Sequence, residues 1–378
     1  MISNGGNKYL IFGTGSYAKR SLEVFEKFNC KNEIKIVAFV DNNPEKWGKQ
    51  LGGYPIISPN EMKSVEWDYI SIWSTFYEDI VGELVEKYSI PKEQIKNAFV
   101  FFLNNCRFTR EQNELSDEEI QSQRQFIETI RERISEDNVL KIWGFEPKNE
   151  PHLYEVYYDE NAGLYYTMFD SKRLYFSRTS RFRDIDGKKY VRDIWYEQDE
   201  NSPHRYEKDE ICVKEGDVLL DVGACEGNFS LHNIEKLKKL YLFEPRPEWV
   251  EALEYTFAPW KDKVVIVPKF VSDDDNDESV TIDMVVKENE SIFLKVDVEG
   301  AERKVLSGAC MMIASAEDFR CAICAYHRHG DEEVIKSFLE ENGVTTSVSG
   351  GYMFFYHDPY MYDQPELRKG VVRGIVKK

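Results

Sequence analysis

The feature that most constrains this chain is one short run, Val218-Leu-Leu-Asp-Val-Gly-Ala-Cys-Glu-Gly-Asn-Phe-Ser230. It reads as an apolar strand that enters a turn bearing two glycines, where missing side chains let a ligand approach the backbone. A helix is expected to follow, and its first turn presents unsatisfied N–H groups at the same place. A chain with this run is expected to fold as α/β, with its ligand at the carboxyl end of a strand.

The rest of the sequence repeats that pattern twice. In the first part, Lys8 to Phe12 reads as a strand running into Gly13-Thr-Gly-Ser-Tyr-Ala18, with a helix to about Asn29. Further strands are expected at Ile34 to Val40, Tyr54 to Ile57, Asp68 to Trp73 and Ala98 to Leu103, alternating with helices as in a small parallel sheet. In the last part, strands are expected near Val218 to Val222, Leu240 to Glu244, Val264 to Val267, Ile292 to Val296 and Cys321 to Tyr326. Val344 to Val348 and Tyr352 to Tyr356 would close the sheet as a hairpin around Gly350-Gly351.

Between the two lies a polar stretch, Ser116 to Arg133, with Ser116 and Glu119 at capping-box spacing and Ile120, Phe126, Ile127 and Ile130 on one face, which reads as a connecting helix. Strand-like runs at Leu164 to Phe169, Arg173 to Arg178 and Tyr190 to Tyr196, with Asp186-Gly187 as a turn signal, predict a β-meander. The expected organisation is a Rossmann-like domain over 1–105, a helical linker over 106–163 and a second domain over 164–378. A length of 378 residues suits two domains, and 42% hydrophobic with 14% aromatic residues supplies two cores.

Charge and cysteine usage narrow the partners. A formal charge of −19 repels phosphate backbones and anionic lipid, so neither nucleic acid nor a membrane surface is expected as a partner. No apolar stretch reaches the roughly 20 residues of a membrane span, and Met1 to Lys8 lack a secretory core, so a cytoplasmic location is expected. The seven cysteines are scattered, and Cys321 and Cys324 read as reduced residues of a buried strand rather than half of a zinc site.

Glu244 ends the run Tyr241-Leu-Phe-Glu-Pro245, one strand after Asp221, where a carboxylate can accept hydrogen bonds from both ribose hydroxyls of an adenosine. The turn Gly223-Ala-Cys-Glu-Gly227 is not a GxGxxG and carries no P-loop lysine, so a sulfonium nucleoside fits better than a pyrophosphate. Asp297 in Lys295-Val-Asp-Val-Glu-Gly-Ala-Glu302 falls at the carboxyl end of a strand. With Val298 pointing away, Asp297 and Glu299 face one side, to position an acceptor hydroxyl, take its proton or bind a divalent cation; the spacing leaves all three open. Lys295 and Glu302 read as ion-paired framework. His327, after the Cys321 to Tyr326 strand, is the better base candidate of the pair His327 and His329.

The motifs DVGACEGNFS, YLFEP, VTIDMVV and LKVDVEGAERKVLSGA, in this order, strongly resemble the FkbM family of methyltransferases over roughly residues 190 to 357. The resemblance implies a class I methyltransferase fold with a seven-stranded sheet and S-adenosylmethionine held at Asp221, Gly223, Gly227 and Glu244, with Ala224, Glu226, Asn228 and Pro245 beside them. It also implies an adenine contact near Asp273, although Asp273-Asp-Asp-Asn-Asp277 also reads as a hydrated acidic loop. Family members typically methylate hydroxyls of sugars or polyketides. The expectation is therefore a methyltransferase acting on a hydroxyl of a sugar or sugar-containing small molecule, with His327 or Asp297 as base and Glu299 beside them. Metal requirement and homo-oligomer formation are left open.

Two further features bear on the acceptor. Lys172, Arg173, Arg178, Arg181, Arg183, Lys188, Lys189 and Arg192 form a basic cluster interleaved with Tyr175, Phe176 and Phe182. It suits either a phosphate-bearing sugar or, as the simpler reading, the neutralised polar face of the meander. Gly13, Gly15 and Ala18 give GxGxxA before a helix, with Asp41 at the next strand end. With Ala38-Phe-Val-Asp-Asn-Asn-Pro-Glu-Lys-Trp-Gly48 and Gly53-Tyr-Pro-Ile-Ile-Ser-Pro59, this region resembles the Rossmann-like N-terminal domain of bacterial sugar acetyltransferases. That resemblance implies a nucleotide or nucleotide-sugar site at Gly13, Gly15 and Asp41. The rival reading of the whole chain is a noncatalytic nucleotide-sugar sensor or scaffold of a glycan pathway.

Overall fold

Apolar runs such as Val218–Leu220 and Ile292–Leu294 suit strands that have neighbours on both sides and helices over both faces. The computed structural model describes residues 7–28, 34–74, 76–98, 101, 154–180, 187–288, 290–353 and 367–376, together with 116, 118, 121, 122, 125 and 148. The chain divides into two compact units, residues 1–144 with 354–367 and residues 145–353 with 368–378.

The first unit holds β1 (Asn7–Phe12), β2 (Ile34–Val40), β3 (Gln50–Leu51), β4 (Tyr54–Ile57), β5 (Tyr69–Ile72) and β6 (Ile95–Asn97) in the order β3-β4-β2-β1-β5-β6. Strand β1 pairs in parallel with both β2 and β5. Helices α1 (Ser16–Phe28) and α2 (Tyr77–Glu86) follow β1 and β5. Leu10, Phe12, Ala38, Val40, Ile70, Ile72 and Leu84 form one core. The strand expected at Ala98 to Leu103 is a correction: the strand is β6, and Ala98 and Phe101 are helical. Their spacing of three turns both inward, and the Phe101 ring packs on Tyr9, Phe25 and Trp73.

The expected linking helix lies mostly outside the described residues, of which Glu118, Gln121, Ser122 and Gln125 are helical. The meander is real but differently bounded: β7 (Val156–Asp159), β8 (Leu164–Phe169) and β9 (Lys172–Tyr175) form an antiparallel three-stranded sheet. Tyr190 to Tyr196 is not a strand but the end of α3 (Gly187–Tyr196). Val191 and Ile194, three apart, are both buried, so the helical period prevails over the alternation of Tyr190, Ile194 and Tyr196. Asp186 of the expected turn lies outside the described residues.

The large sheet of the second unit contains β10 (Val218–Val222), β11 (Lys239–Phe243), β12 (Val264–Val267), β15 (Ser291–Val296), β16 (Asp318–Cys324), β17 (Thr345–Val348) and β18 (Val371–Ile375), in the order β12-β11-β10-β15-β16-β18-β17. A two-stranded pair, β13 (Phe270–Val271) and β14 (Ser279–Val280), stands apart from it. Between them run α4 (Asn228–Asn233), α5 (Pro247–Phe257), α6 (Ile282–Val285), α7 (Glu302–Ser307), α8 (Cys310–Ser315) and α9 (Asp331–Glu341). The expected hairpin of Val344 to Val348 with Tyr352 to Tyr356 is corrected: β17 pairs with β18, which also pairs antiparallel with β16. Met353 contributes a single bridge to Arg368, and 354–356 lie outside the described residues.

The sheet is tied at its amino end by a wholly buried ion pair, Arg320 to Asp217 at 2.8 Å, whose remaining donors reach Ser291 and the Cys212 carbonyl. At the other end the chain reverses direction of winding between β10 and β15, which opens a crevice at their carboxyl edge.

Candidate active site

Strand register sets the first contact of the site. Asp221 of β10 lies beside Lys295 of β15, and both side chains are buried. Lys295 Nζ reaches Asp221 Oδ1 at 2.9 Å and the Gly223 carbonyl at 2.6 Å, while Ser230 donates to Asp221 Oδ2 at 2.6 Å. Asp221 thus anchors the turn from beneath.

The turn itself needs glycine at its first position. Gly223 has φ 76°, and a Cβ there would stand 1.8 Å from the Asp297 carbonyl oxygen. The loops after β10 and β15 therefore touch backbone to backbone. Ala224 is buried and its N–H donates to Phe243 O at 3.2 Å; Gly227 precedes α4, whose Asn228 side chain donates to Ile194 O at 3.4 Å. Glu226 is buried and accepts from the Tyr190 hydroxyl, so α3 lies along this loop.

Glu244, buried at the end of β11, accepts from the Cys225 N–H at 3.0 Å through Oε2 and from Arg246 N and Nε at 3.0 and 2.8 Å through Oε1. Arg246 Nη2 donates to Oε2 as well, at 3.3 Å, so the chain's own donors meet all of the roughly four lone-pair sites, and a diol binds Glu244 only by displacing the exposed Arg246 side chain. Pro245 follows it at the surface side of the turn. Asp273 lies on the loop after β13, exposed, 3.8 Å from Lys304. It is not brought to Glu244 by any contact among the described residues.

Asp297 stands at the centre of a polar cluster that the sequence only half revealed. Its Oδ2 is 3.3 Å from His204 Nε2 and accepts from Tyr206 at 3.0 Å. Its Oδ1 is 3.6 Å from His327 Nε2 and 3.4 Å from the Tyr326 hydroxyl. Burial opposes ionisation of Asp297, but the hydrogen bond and field of His204, then His327 and Lys295, outweigh it and hold the carboxyl well below the usual range. Glu299, at φ 55°, brings Oε2 within 3.5 Å of His327 Nε2, so Asp297 and Glu299 do approach the same ring.

His327 is buried, and its Nδ1 bonds Glu302 Oε1 at 2.8 Å; the same oxygen accepts from the N–H groups of Val298 and Gly300 at 3.1 and 3.4 Å. Burial lowers the His327 pKa, but Glu302, Asp297 and Glu299 more than reverse this and raise it to about 9. At neutral pH His327 is therefore the imidazolium, hydrogen-bonded to Glu302 through Nδ1 and near enough to Asp297 and Glu299 for its charge to attract both. Glu302 fixes both that ring and the β15–α7 loop. Burial, reinforced by Glu226 and Asp297 against His204, raises Glu197 to about 7.

His204, Tyr206 and Glu197 were missed by the sequence reading. They lie between α3 and β10 in a segment without hydrophobic periodicity, and nothing in its spacing tells which strand end it reaches.

In the basic cluster, Arg178 holds Glu251 through Nε and Nη2 at 2.7 and 2.8 Å, Arg173 meets Asp159 at 3.1 Å and Arg192 meets Asp193 at 3.0 Å. Phe176 is buried. These arginines, on the meander, beyond it and on α3, are each neutralised by a nearby carboxylate; Arg181, Phe182 and Arg183 lie outside the described residues, as do the side chains of Lys188 and Lys189.

In the first unit, Gly13 has φ 113° and packs against Trp73 O, and Gly15 precedes α1. Asp41 Oδ2 accepts from Thr14 and from Lys46 at 2.9 Å, and Oδ1 accepts from Asn43 N at 2.8 Å. The chain's own donors occupy much of this carboxylate.

Residues 174–345 match the methyltransferase FkbM domain, and residues 5–96 match the family described as C2185-like, N-terminal. The second unit is accordingly a methyltransferase domain of the class I Rossmann-like fold, and its cofactor is S-adenosylmethionine. No curated protein matches the chain. Among solved structures, a precorrin-6Y C5,15-methyltransferase from Geobacter metallireducens aligns at 13% identity and TM-score 0.30, over 44% of this chain and 83% of that one. A magnesium protoporphyrin IX methyltransferase from Synechocystis with bound S-adenosylmethionine aligns at 11% and 0.30, over 43% and 71%. A UDP-D-quinovosamine 4-dehydrogenase from Vibrio fischeri aligns at 18% and 0.20, over 25% and 76%. Among the described residues no helix is long and apolar enough to cross a membrane.

The residues present fit this cofactor: the Glu244 carboxylate at the strand end where a diol would sit, a glycine turn open to backbone approach, and the buried Glu226 carboxylate for a cationic sulfonium. Glu244→Gln removes the charge from those hydrogen bonds and is expected to weaken S-adenosylmethionine binding by about 10- to 100-fold. Calorimetric titration checks this, and unchanged affinity would remove Glu244 from the site.

Proposed function

We propose that the methyltransferase domain transfers a methyl group to a hydroxyl of a sugar or sugar-containing small molecule in glycan or secondary-metabolite assembly. The observation that carries this reading is Asp297, an ionised carboxylate whose side chain keeps 19% of its surface exposed at the strand end, ringed by His204, Tyr206, Tyr326 and His327. Such a ring binds hydroxyls by both donating and accepting hydrogen bonds.

When bound, S-adenosylmethionine supplies a methyl carbon already activated by its sulfonium. What remains for the chain is alignment, which supplies much of the rate in an in-line displacement. Asp297 accepts a hydrogen bond from the attacking hydroxyl and aims an oxygen lone pair at the methyl. Its low basicity suits this task, because an oxygen that has just gained a methyl group is a strong acid and gives its proton to a weak base. Tyr206 and His204 hold Asp297 in place, the His327 charge keeps it ionised, and Glu302 orients the His327 ring. In the first unit, Gly13, Gly15 and Asp41 form the site offered to a nucleotide or nucleotide sugar, in keeping with the resemblance to sugar acetyltransferase N-terminal domains.

Isotope-labelled S-adenosylmethionine incubated with the protein and a cell extract tests the reading, with mass spectrometry of the labelled product. A methyl ether on a sugar is expected. Asp297→Asn should lower its formation about 100-fold or more while S-adenosylmethionine still binds. A noncatalytic scaffold gives no labelled product, and a methylated carbon or nitrogen overturns the assignment to oxygen.

A further inference from the structure

Sheet register brings a second chemistry to the same strand ends. Val296 pairs with Ile323, so the next residues along the two strands, Asp297 and Cys324, are neighbours. His204 approaches both from the segment before β10: its Nε2 is 3.3 Å from Asp297 Oδ2 and 3.7 Å from Cys324 Sγ. The three ligand atoms all lie within 4.8 Å of one another.

The geometry points to a divalent-cation site of the zinc class at His204 Nε2, Cys324 Sγ and Asp297 Oδ2. Tetrahedral zinc with ordinary bond lengths separates nitrogen from oxygen by about 3.3 Å and nitrogen from sulfur by about 3.6 Å. The His204–Asp297 and His204–Cys324 separations match these values closely. A thiolate with an imidazole selects zinc-like ions over magnesium or calcium, and the thiol proton is released on binding.

A second observation concerns the other ring nitrogen. His204 Nδ1 is buried and has no hydrogen-bond partner, and Glu197 Oε2 stands 4.0 Å away. With a cation on Nε2, the proton belongs on Nδ1, where a carboxylate is the usual partner of a metal-bound histidine. The phenol oxygens of Tyr206, 3.0 Å from Asp297 Oδ2, and Tyr326, 3.2 Å from His204 Nε2, border the remaining position. Lys295 does not compete for this space, since its Nζ is held by Asp221 and the Gly223 carbonyl.

A neighbouring trio, Asp297, Glu302 and His327, is less suited. There Glu302 Oε1 already takes His327 Nδ1 and two backbone N–H groups.

The test needs neither acceptor nor S-adenosylmethionine, so it stands or falls apart from the proposed reaction. Full-length protein stripped with a chelator is titrated with cobalt(II) alone and then with zinc. One equivalent of cobalt should bind with a thiolate-to-metal band in the near ultraviolet and the visible spectrum of a tetrahedral ion, and zinc should displace it. Cys324→Ser should abolish that band, with far-ultraviolet circular dichroism reporting that the fold is kept. Glu197→Gln should weaken binding by about 10-fold or more. Cys310→Ser, which removes a thiol outside the trio, should leave it unchanged. Absence of stoichiometric binding overturns the site, as does a band that survives Cys324→Ser or is lost with Cys310→Ser.

Discussion

Gly223→Ala is expected to destabilise the second unit by about 2–5 kcal/mol, from the left-handed backbone and the overpacking together. S-adenosylmethionine binding should be lost with it. The added methyl would meet the Asp297 carbonyl, which is backbone and cannot rotate away. The loop must move, and with it its N–H groups. Because the same carbonyl belongs to Asp297, which we propose orients the acceptor, both halves of the proposed site shift at once. Denaturant unfolding and calorimetric titration measure the two effects. A variant with wild-type stability and affinity would show that the two loops do not touch in solution.

Lys295→Met is the second change of large effect, and it acts through the sheet. Burial opposes the charge on Lys295, but Asp221 and Asp297 outweigh it and raise its pKa above the usual lysine range. Removing the ammonium leaves Asp221 buried with an uncompensated charge, which costs about 3–5 kcal/mol. The double variant Asp221→Asn, Lys295→Met should recover most of that loss, because no lone charge remains. It should still bind the cofactor poorly, since the turn loses the ammonium that holds the Gly223 carbonyl. If the single variant lost less than about 1 kcal/mol, in the range of ordinary surface changes, the pair would not be the anchor described.

The parts of the fold legible in the sequence are those where one physical signal acts alone. Val218–Leu220 and Ile292–Leu294 are apolar throughout because both sheet faces are covered, and each runs into a charged residue, Asp221 or Lys295, near the carboxyl edge. The misread parts carry two signals. In Tyr190 to Tyr196 aromatic and β-branched residues suggest a strand, while the buried pair Val191 and Ile194 follows a helical period. Strand β18 was overlooked because it contains Arg373 and Gly374. Yet Arg373 is buried, its guanidinium donating to the Tyr206 carbonyl at 2.8 Å and to that of Arg205.

The site divides along the same line. Asp221, Gly223, Glu244 and Asp297 could be placed because each sits at a strand end fixed by local pattern. His204 could not, because its position depends on how an irregular segment of some twenty residues, with Asp199 accepting from Asn201, folds across strands far away in sequence. Chemistry carried by such segments is invisible to periodicity.

The placement of β18 between β16 and β17 has a consequence for the order of assembly. Until residues 371–375 arrive, β16 and β17 have no shared neighbour, and β16 offers an open row of N–H and C=O groups. On a ribosome that adds roughly 5–20 residues per second, this half of the sheet stays unzipped after every other described strand has emerged. A nascent chain interrupted before Val371 thus presents a sticky edge on β16, the strand that carries Cys324 at its carboxyl end.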